Sequence, residues 1–326
     1  MNRRNNVSNS NLSWDGRSFF WPRMHRERIP GGDSNLWMCA QDLGSCVWAQ
    51  FRRAEQLSGQ QGIEHVRLEN CSSDLQRILT NALPFNQYRE DLHGALCNFS
   101  KMVAQEFVLR GEIIFEVRGG WNRATSPATL EAATVVSIPT GSVHHLGPWA
   151  FQLIPSEVRA TKEVGRVVRL DGSHLVAFSP PRRWRGELSC LRAGLPVVGK
   201  LEHEWMMSIG RLDSQEDFKA IKLAHSIQRA RLTASIGWNA RGLLRDHISD
   251  FHWMVRELRW KRFCIEVRNE ILSTVSEMFS IIGSWKDEHP QLVTELLPTL
   301  QQVKDSEDRL MGKGARFDEL LEPFKI

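Results

Sequence analysis

Between Asp246 and Ile282 the chain runs for 37 residues without a proline or a glycine. Ile248, Phe251, Val255, Leu258, Ile265, Leu272, Val275, Phe279 and Ile282 recur there at separations of three, four or seven. That spacing keeps one apolar stripe along a single helix face, close to a heptad repeat. At 1.5 Å per residue the helix would be about 55 Å long, more than a small core can cover. Met254, Trp260, Cys264, Val267, Ile271 and Met278 make a second stripe, so the helix needs cover on two sides. Copies of the same chain in a bundle or ring would supply it, and so would a central position in one globule.

The rest of the chain alternates in period. Leu36–Leu57, Ser73–Leu83 and Tyr88–Arg110 read as helices, the second capped by Ser72 or Ser73 and stopped by Pro84. From Gly111 the period changes to two. Glu112–Arg118, Thr134–Ile138, Ala150–Ile154, Arg166–Leu170 and His174–Phe178 read as short strands separated by Gly, Pro and Asp turns. Strands this short and closely joined predict a small, mainly antiparallel sheet, and hence an α+β fold. From Gly186 onward the chain is helical again, with short pieces after Gly283. The composition divides the chain into a basic arm (1–32), an α/β region (33–200), a helical stretch (201–282) and a short helical C-terminal segment (283–326).

Overall composition is that of a globular protein, with 41% hydrophobic and 25% charged residues. No apolar run approaches the roughly 20 residues needed to cross a bilayer, and Met1–Ser13 lacks the apolar core of a secretory signal. The expectation is a soluble protein with no membrane partner. The six cysteines are scattered without metal-ligand spacing, which fits a reducing compartment, and neither a metal nor a cofactor is expected. Charge is uneven. Val158–Lys200 carries nine basic residues against three acidic, whereas Lys286–Ile326 carries six against nine. A polyanion or an acidic neighbouring subunit would complement the middle of the chain.

Catalytic motifs are poor. Gly194-Leu-Pro-Val-Val-Gly-Lys200 satisfies part of a phosphate-binding loop, but Leu201 stands where Ser or Thr would hold Mg²⁺ and Pro196 removes a donor. His144-His145 and His203-Glu204 do not complete a metal pattern. The expectation is a protein that is not an enzyme. The stronger signal is basic residues interleaved with an aromatic: Arg182, Arg183, Trp184 and Arg185 join three guanidiniums to one indole, a pattern suited to phosphates and bases. Arg245, Arg256, Arg259 and Arg262, on and before the long helix, form a second candidate set for contact with the DNA backbone. Salt bridges with Asp246, Asp250, Glu257, Glu266 and Glu270 are the competing use of those charges.

The order of these segments resembles the wing region of tailed-bacteriophage portal proteins. A helix leads into Leu109-Arg-Gly-Glu-Ile-Ile-Phe-Glu-Val117. A strand then runs through Phe151-Gln-Leu-Ile-Pro-Ser-Glu-Val158. Asp171-Gly-Ser-His-Leu-Val-Ala-Phe178 follows, and Gly186–Gly194 turns into a helix. The resemblance spans about 88–207, with Asp246–Ile282 in the place of a stem helix. It implies a ring of identical subunits at a capsid vertex, contacting double-stranded DNA without sequence specificity. Partners would be further copies of the chain, capsid proteins and packaging-motor or neck proteins. The location would be the virion after assembly in the host cytoplasm. The chain is shorter than most portals, and only Thr233–His247 is left for the clip that docks the motor. The alternatives are a nucleic-acid-binding or adaptor protein that forms no ring, and a phosphate-loop nucleotide hydrolase.

Overall fold

The computed structural model describes residues 12–16, 18, 34–62, 64–84, 91–146, 149–156, 166–208, 215–238, 249–312 and 316–324. The fold is α+β: helices enclose small antiparallel sheets. Helix α1 (Ser34–Gln61) buries Leu36, Ala40, Leu43, Val47, Phe51 and Ala54, residues three or four apart that form one stripe. Helix α2 (Ser73–Ala82) starts where the Ser72 side chain accepts the Leu75 N–H at 3.2 Å. Helix α3 (Leu92–Leu109) is capped in the same way by Asp91, which accepts the Gly94 N–H at 2.7 Å. It lies along α1, and Gly44 of α1 lets the two come close, since a Cβ there would meet the Lys101 carbonyl oxygen at 2.9 Å.

At the centre of the first sheet is β3 (Ile113–Asn122). One edge pairs with β4 (Thr129–Ile138). The other is shared end to end by β8 (Leu175–Phe178), opposite Ile113–Glu116, and β1 (Leu12–Trp14), opposite Gly120–Asn122. Alternation along β3 divides its side chains. Ile113, Phe115 and Val117 face the helices, where the Phe99, Phe115 and Phe178 rings lie 5.4 Å apart. Ile114 faces a second sheet of β5 (Val143–Leu146), β6 (Trp149–Leu153) and β7 (Val167–Leu170), meeting Ala150 and Leu170. Gly119-Gly120, which in the sequence look like a terminator, lie inside β3, and a Cβ at Gly120 would touch the Trp14 ring at 3.1 Å.

Helix α4 (Arg185–Ser208) and helix α5 (Gln215–Thr233) form a packed pair, and α6 (Asp250–Ser284) is the long helix. Ser249 caps α6, so it begins four residues after the expected start, and 239–248 lie outside the described residues. From Leu258 onward both expected stripes are covered by the chain itself, while Phe251 at the start of the first is 39% exposed. Leu258, Ile265, Val275, Phe279 and Ile282 of the first and Met254, Cys264, Val267, Ile271 and Met278 of the second are all buried. The single-globule position therefore accounts for this helix, and its stripes leave little apolar surface for a copy of the chain. One apolar cluster extends from Leu36 to Leu297 and draws on the α/β and the long-helix segments alike.

Four of the described strands went unread in the sequence: β1, β5, β2 (Val66–Glu69) and β9 (Gln291–Thr294), the last two pairing with each other. The chain closes with α7 (Leu300–Met311), opened by a Thr299/Gln302 capping box, and α8 (Phe317–Leu321). Most of the basic arm lies outside the described residues. The described part packs on its own sheet rather than on a neighbour: β1 joins β3, and the Ser18 N–H and hydroxyl reach the buried Glu116 carboxylate at 3.1 and 2.6 Å.

Candidate nucleic-acid interface

Pro180 and Pro181 end β8, and Arg182–Trp184 make one tight turn before α4 begins at Arg185. The turn drives Trp184 inward. Only 3% of it is exposed, its ring sits edge-on to Phe263 of α6 at 5.2 Å, and its Nε1–H donates to Glu266 Oε2 at 2.5 Å. Arg183 donates to the other Glu266 oxygen at 3.1 Å and lies 4.5 Å above the same indole. Arg185 donates from Nε to the Pro180 carbonyl at 3.1 Å. This arrangement corrects the expectation of a base-stacking tryptophan, because a ring held inside the core has no free face. Glu266 uses both of its oxygens to fasten the turn before α4 to α6. Arg182 and Arg185 remain at the surface.

The second basic set is also bound up within the chain. Arg256 is half-buried and donates to the Ala230 and Trp238 carbonyls at 3.2 and 2.7 Å and to the Thr233 hydroxyl at 3.1 Å. Arg259 reaches the Ala234 carbonyl at 2.9 Å. Together they satisfy the last carbonyls of α5 and the turn beyond it, where the helix dipole favours cations. Burial, then the neighbouring Arg259, pulls the Arg256 guanidinium below its ordinary range. Gly237 in that turn has φ +79° and no room for a side chain, since a Cβ would lie 2.3 Å from the Arg256 carbonyl oxygen. Arg262 pairs with Glu307 of α7. Arg256, Arg259 and Arg262 thus serve as tertiary clamps rather than as a strip open to DNA, and Arg245 lies outside the described residues.

The segment resembling a phosphate loop, Gly194–Lys200, is helical throughout, inside α4. Its backbone N–H groups belong to a helix interior and form no cradle, which removes the structural basis for a nucleotide site there. Gly194 has a packing role instead, because a Cβ would meet Leu232 of α5 at 2.7 Å. His144 and His145 are both exposed on β5. No group of three or more His, Cys, Asp or Glu fit to hold a metal occurs among the described residues.

Exposed apolar side chains collect in two places. On the outer face of the second sheet, Leu146 is 72% exposed, Val167 51%, Trp149 44% and Leu153 40%, and Arg169 stacks on the Trp149 ring at 3.5 Å. On the helix pair, Val197 and Leu201 of α4 and Leu223 and Ile227 of α5 are exposed one helical turn apart. Two polar clusters have no signal in the sequence. His65 Nε2 lies 2.7 Å from His93 Nδ1, and His93 Nε2 lies 3.4 Å from Glu55, at the edge of a cleft of about 570 Å³. Cys46 lines a smaller cavity of about 270 Å³ beside α6. The contacts of the first join His93 to residues 28 or more positions earlier, so no motif announces them.

No family model, no curated protein and no solved structure matches the chain.

Proposed function

We propose that the chain is a portal-like structural subunit that assembles head-to-tail into a homo-oligomeric ring and touches duplex DNA without reading its sequence. The observation that carries this reading is the pair of exposed apolar faces, one on the second sheet and one on α4 and α5. A head-to-tail ring needs two different surfaces, one giving and one receiving, whereas a two-fold dimer needs only one. Exposed apolar clusters of this kind also mark interaction surfaces more often than solvated ones. The order of elements adds support. Helix α3 leads through Gly111 into β3, then come β6, β7 and β8, and Pro180-Pro181 turns the chain into α4, as the resemblance to portals implies. The long helix supports the body of the subunit and adds no ring contact.

DNA contact in this reading falls to few charges per subunit, chiefly Arg182 and Arg185, repeated around the ring. Such weak, screened contacts let a duplex slide. The decisive experiment is the native mass of the full chain at micromolar concentration. A closed multimer that Val197→Asp/Leu201→Asp dissolves, with the fold kept by circular dichroism, is the expected result. A strict monomer overturns the ring. If that monomer binds duplex DNA, and loses the binding in Arg182→Ala/Arg185→Ala, the protein is an adaptor instead.

A further inference from the structure

Helices α1 and α6 leave a space where they meet. Ser45, Ala49 and Arg53 recur at intervals of four on α1, and Lys261 and Ile265 do the same on α6. All five line the cavity of about 270 Å³, which Pro298 and Phe324 help to close. Ser45 and Ala49 are short, so α1 does not fill the space itself. Protein interiors hold few voids larger than a water molecule, and a space of this size suits a small ligand.

The walls divide by chemistry. Ala49, Trp260, Ile265 and Phe324 are apolar, Gln50 is polar, and Arg53 and Lys261 are positive. Among the described residues no carboxylate lines the cavity. Outside it, Glu257 pairs with Lys261 at 3.3 Å, and the charge of Glu322 acts on Arg53. A third cation stands directly behind the wall. Arg268 of α6 is only 3% exposed, and its guanidinium donates to Gln50 Oε1 at 2.6 Å, the Pro298 carbonyl at 2.8 Å and Asn269 Oδ1 at 2.7 Å. Gln50 and Pro298 are both wall residues, so this charge lies one hydrogen bond from the cavity. Its hydrogen-bond partners are all neutral, and a guanidinium held inside a protein is costly unless an anion lies near it. Burial lowers Arg268 to about 10, which still leaves it charged at neutral pH. Little water lies between that charge and the cavity to screen it.

We propose that this cavity binds a small organic acid with an apolar body, of the medium-chain fatty acid class. Its carboxylate sits at Gln50 and Lys261 with Arg268 behind, and its chain lies against Trp260, Ile265 and Phe324. The other ligand classes fit less well. Inorganic phosphate would leave the apolar walls uncovered, and an amphipathic amine would face like charges. The volume, just under the roughly 300–1,000 Å³ of sites for drug-sized ligands, keeps the chain short. None of the side chains on the two exposed apolar faces lines the cavity, so the site is independent of ring assembly.

The test is isothermal titration calorimetry of the full chain with sodium octanoate, with octylammonium and inorganic phosphate as the comparison ligands. Octanoate is expected to saturate at one per chain and to bind roughly 10-fold or more tighter than either comparison ligand. Lys261→Gln is expected to weaken octanoate by roughly 10-fold, the scale of one charge-assisted contact. Ala49→Phe, which fills the cavity, is expected to abolish binding while the circular dichroism spectrum is kept. Absence of saturable octanoate binding overturns the proposal. Octylammonium or phosphate binding as tightly as octanoate does so too, and that comparison requires no variant to fold. Octanoate binding that persists unchanged in Lys261→Gln overturns it as well, by placing the site elsewhere.

Discussion

His65 illustrates how a single side chain ties stability to pH. Burial, and then the like charge of His93, hold its imidazole below the ordinary histidine range, while Glu55 and Asp91 pull the other way. The neutral form is therefore favoured in the fold, and the unfolded chain takes up the proton more readily. The contribution is complete above about pH 6.5 and is lost as pH falls through the lower folded value. Urea midpoints measured from pH 7.5 to 5 should decline, and His65→Gln should flatten the decline over that window. Parallel curves for the two proteins would show that the titrating group lies elsewhere. Glu266 makes a second residue-scale case. Replacing it with Ala strands the Trp184 N–H inside the core and releases Arg183, an expected loss of about 1–3 kcal/mol by chemical denaturation. Glu266 was a salt-bridge candidate in the sequence, but neither its pairing with Trp184 nor that of His65 with His93 was legible in advance. Glu266 is 82 residues from Trp184 and His93 is 28 from His65, and such pairings follow from the fold alone. The caps, by contrast, were local enough to read: Ser72 does what its position before an apolar run suggests.

Elements were legible in proportion to their length. The helical period alone marked α1, α2, α3 and α6, because a long stripe repeats one signal many times. Four-residue strands repeat theirs twice. Val66–Glu69 and Gln291–Thr294 depend on each other from more than 200 residues away, so the sequence around either gives no sign of the pairing. Helix α4 agrees with the helical reading from Gly186 onward, and the loop-like run Gly194–Lys200 continues it, with Gly194 placed where a Cβ would meet Leu232 of α5. For α6, burial predicts the mutational cost. Phe263, wholly buried between Trp184 and Trp260, should lose about 3–5 kcal/mol on replacement by Ala. Phe251, 39% exposed on the same helix, should lose well under half of that. Gly237→Ala should be severe for its size, since positive φ and a backbone contact oppose the added methyl together. A shift in melting temperature no larger than that of a surface Gly→Ala control would refute this.

For the whole molecule, the same two-sided helix that suggested a ring is buried within its own chain. Period and composition measure how much cover a helix needs and are silent on which chain provides it. Here α1, α3 and α7, with strands β3 and β8, provide it: Leu36 and Phe107 share one cluster with Val267 and Val275, and Leu310 packs with Met254 and Leu258. The exposed apolar surface is found where the sequence pattern is weakest, on a three-stranded sheet with short strands and on the outer side of α4 and α5. If these faces meet in a ring, Trp149→Glu and Leu223→Glu, made separately, should each lower the native mass, and mixing the two variants should leave one productive junction and yield dimers. Monomers after mixing would place the contact elsewhere.

Three residues near the amino terminus, Leu12–Trp14, complete the edge of β3 that β8 leaves bare, and Asp15 fixes them by accepting the Trp121 Nε1–H at 2.8 Å. A protein trimmed before Gly16 would present Gly120–Asn122 as an open hydrogen-bonding rail, ready to seize any extended segment that passes. Removing this short leader should thus show itself first as stickiness, long before it shows as unfolding.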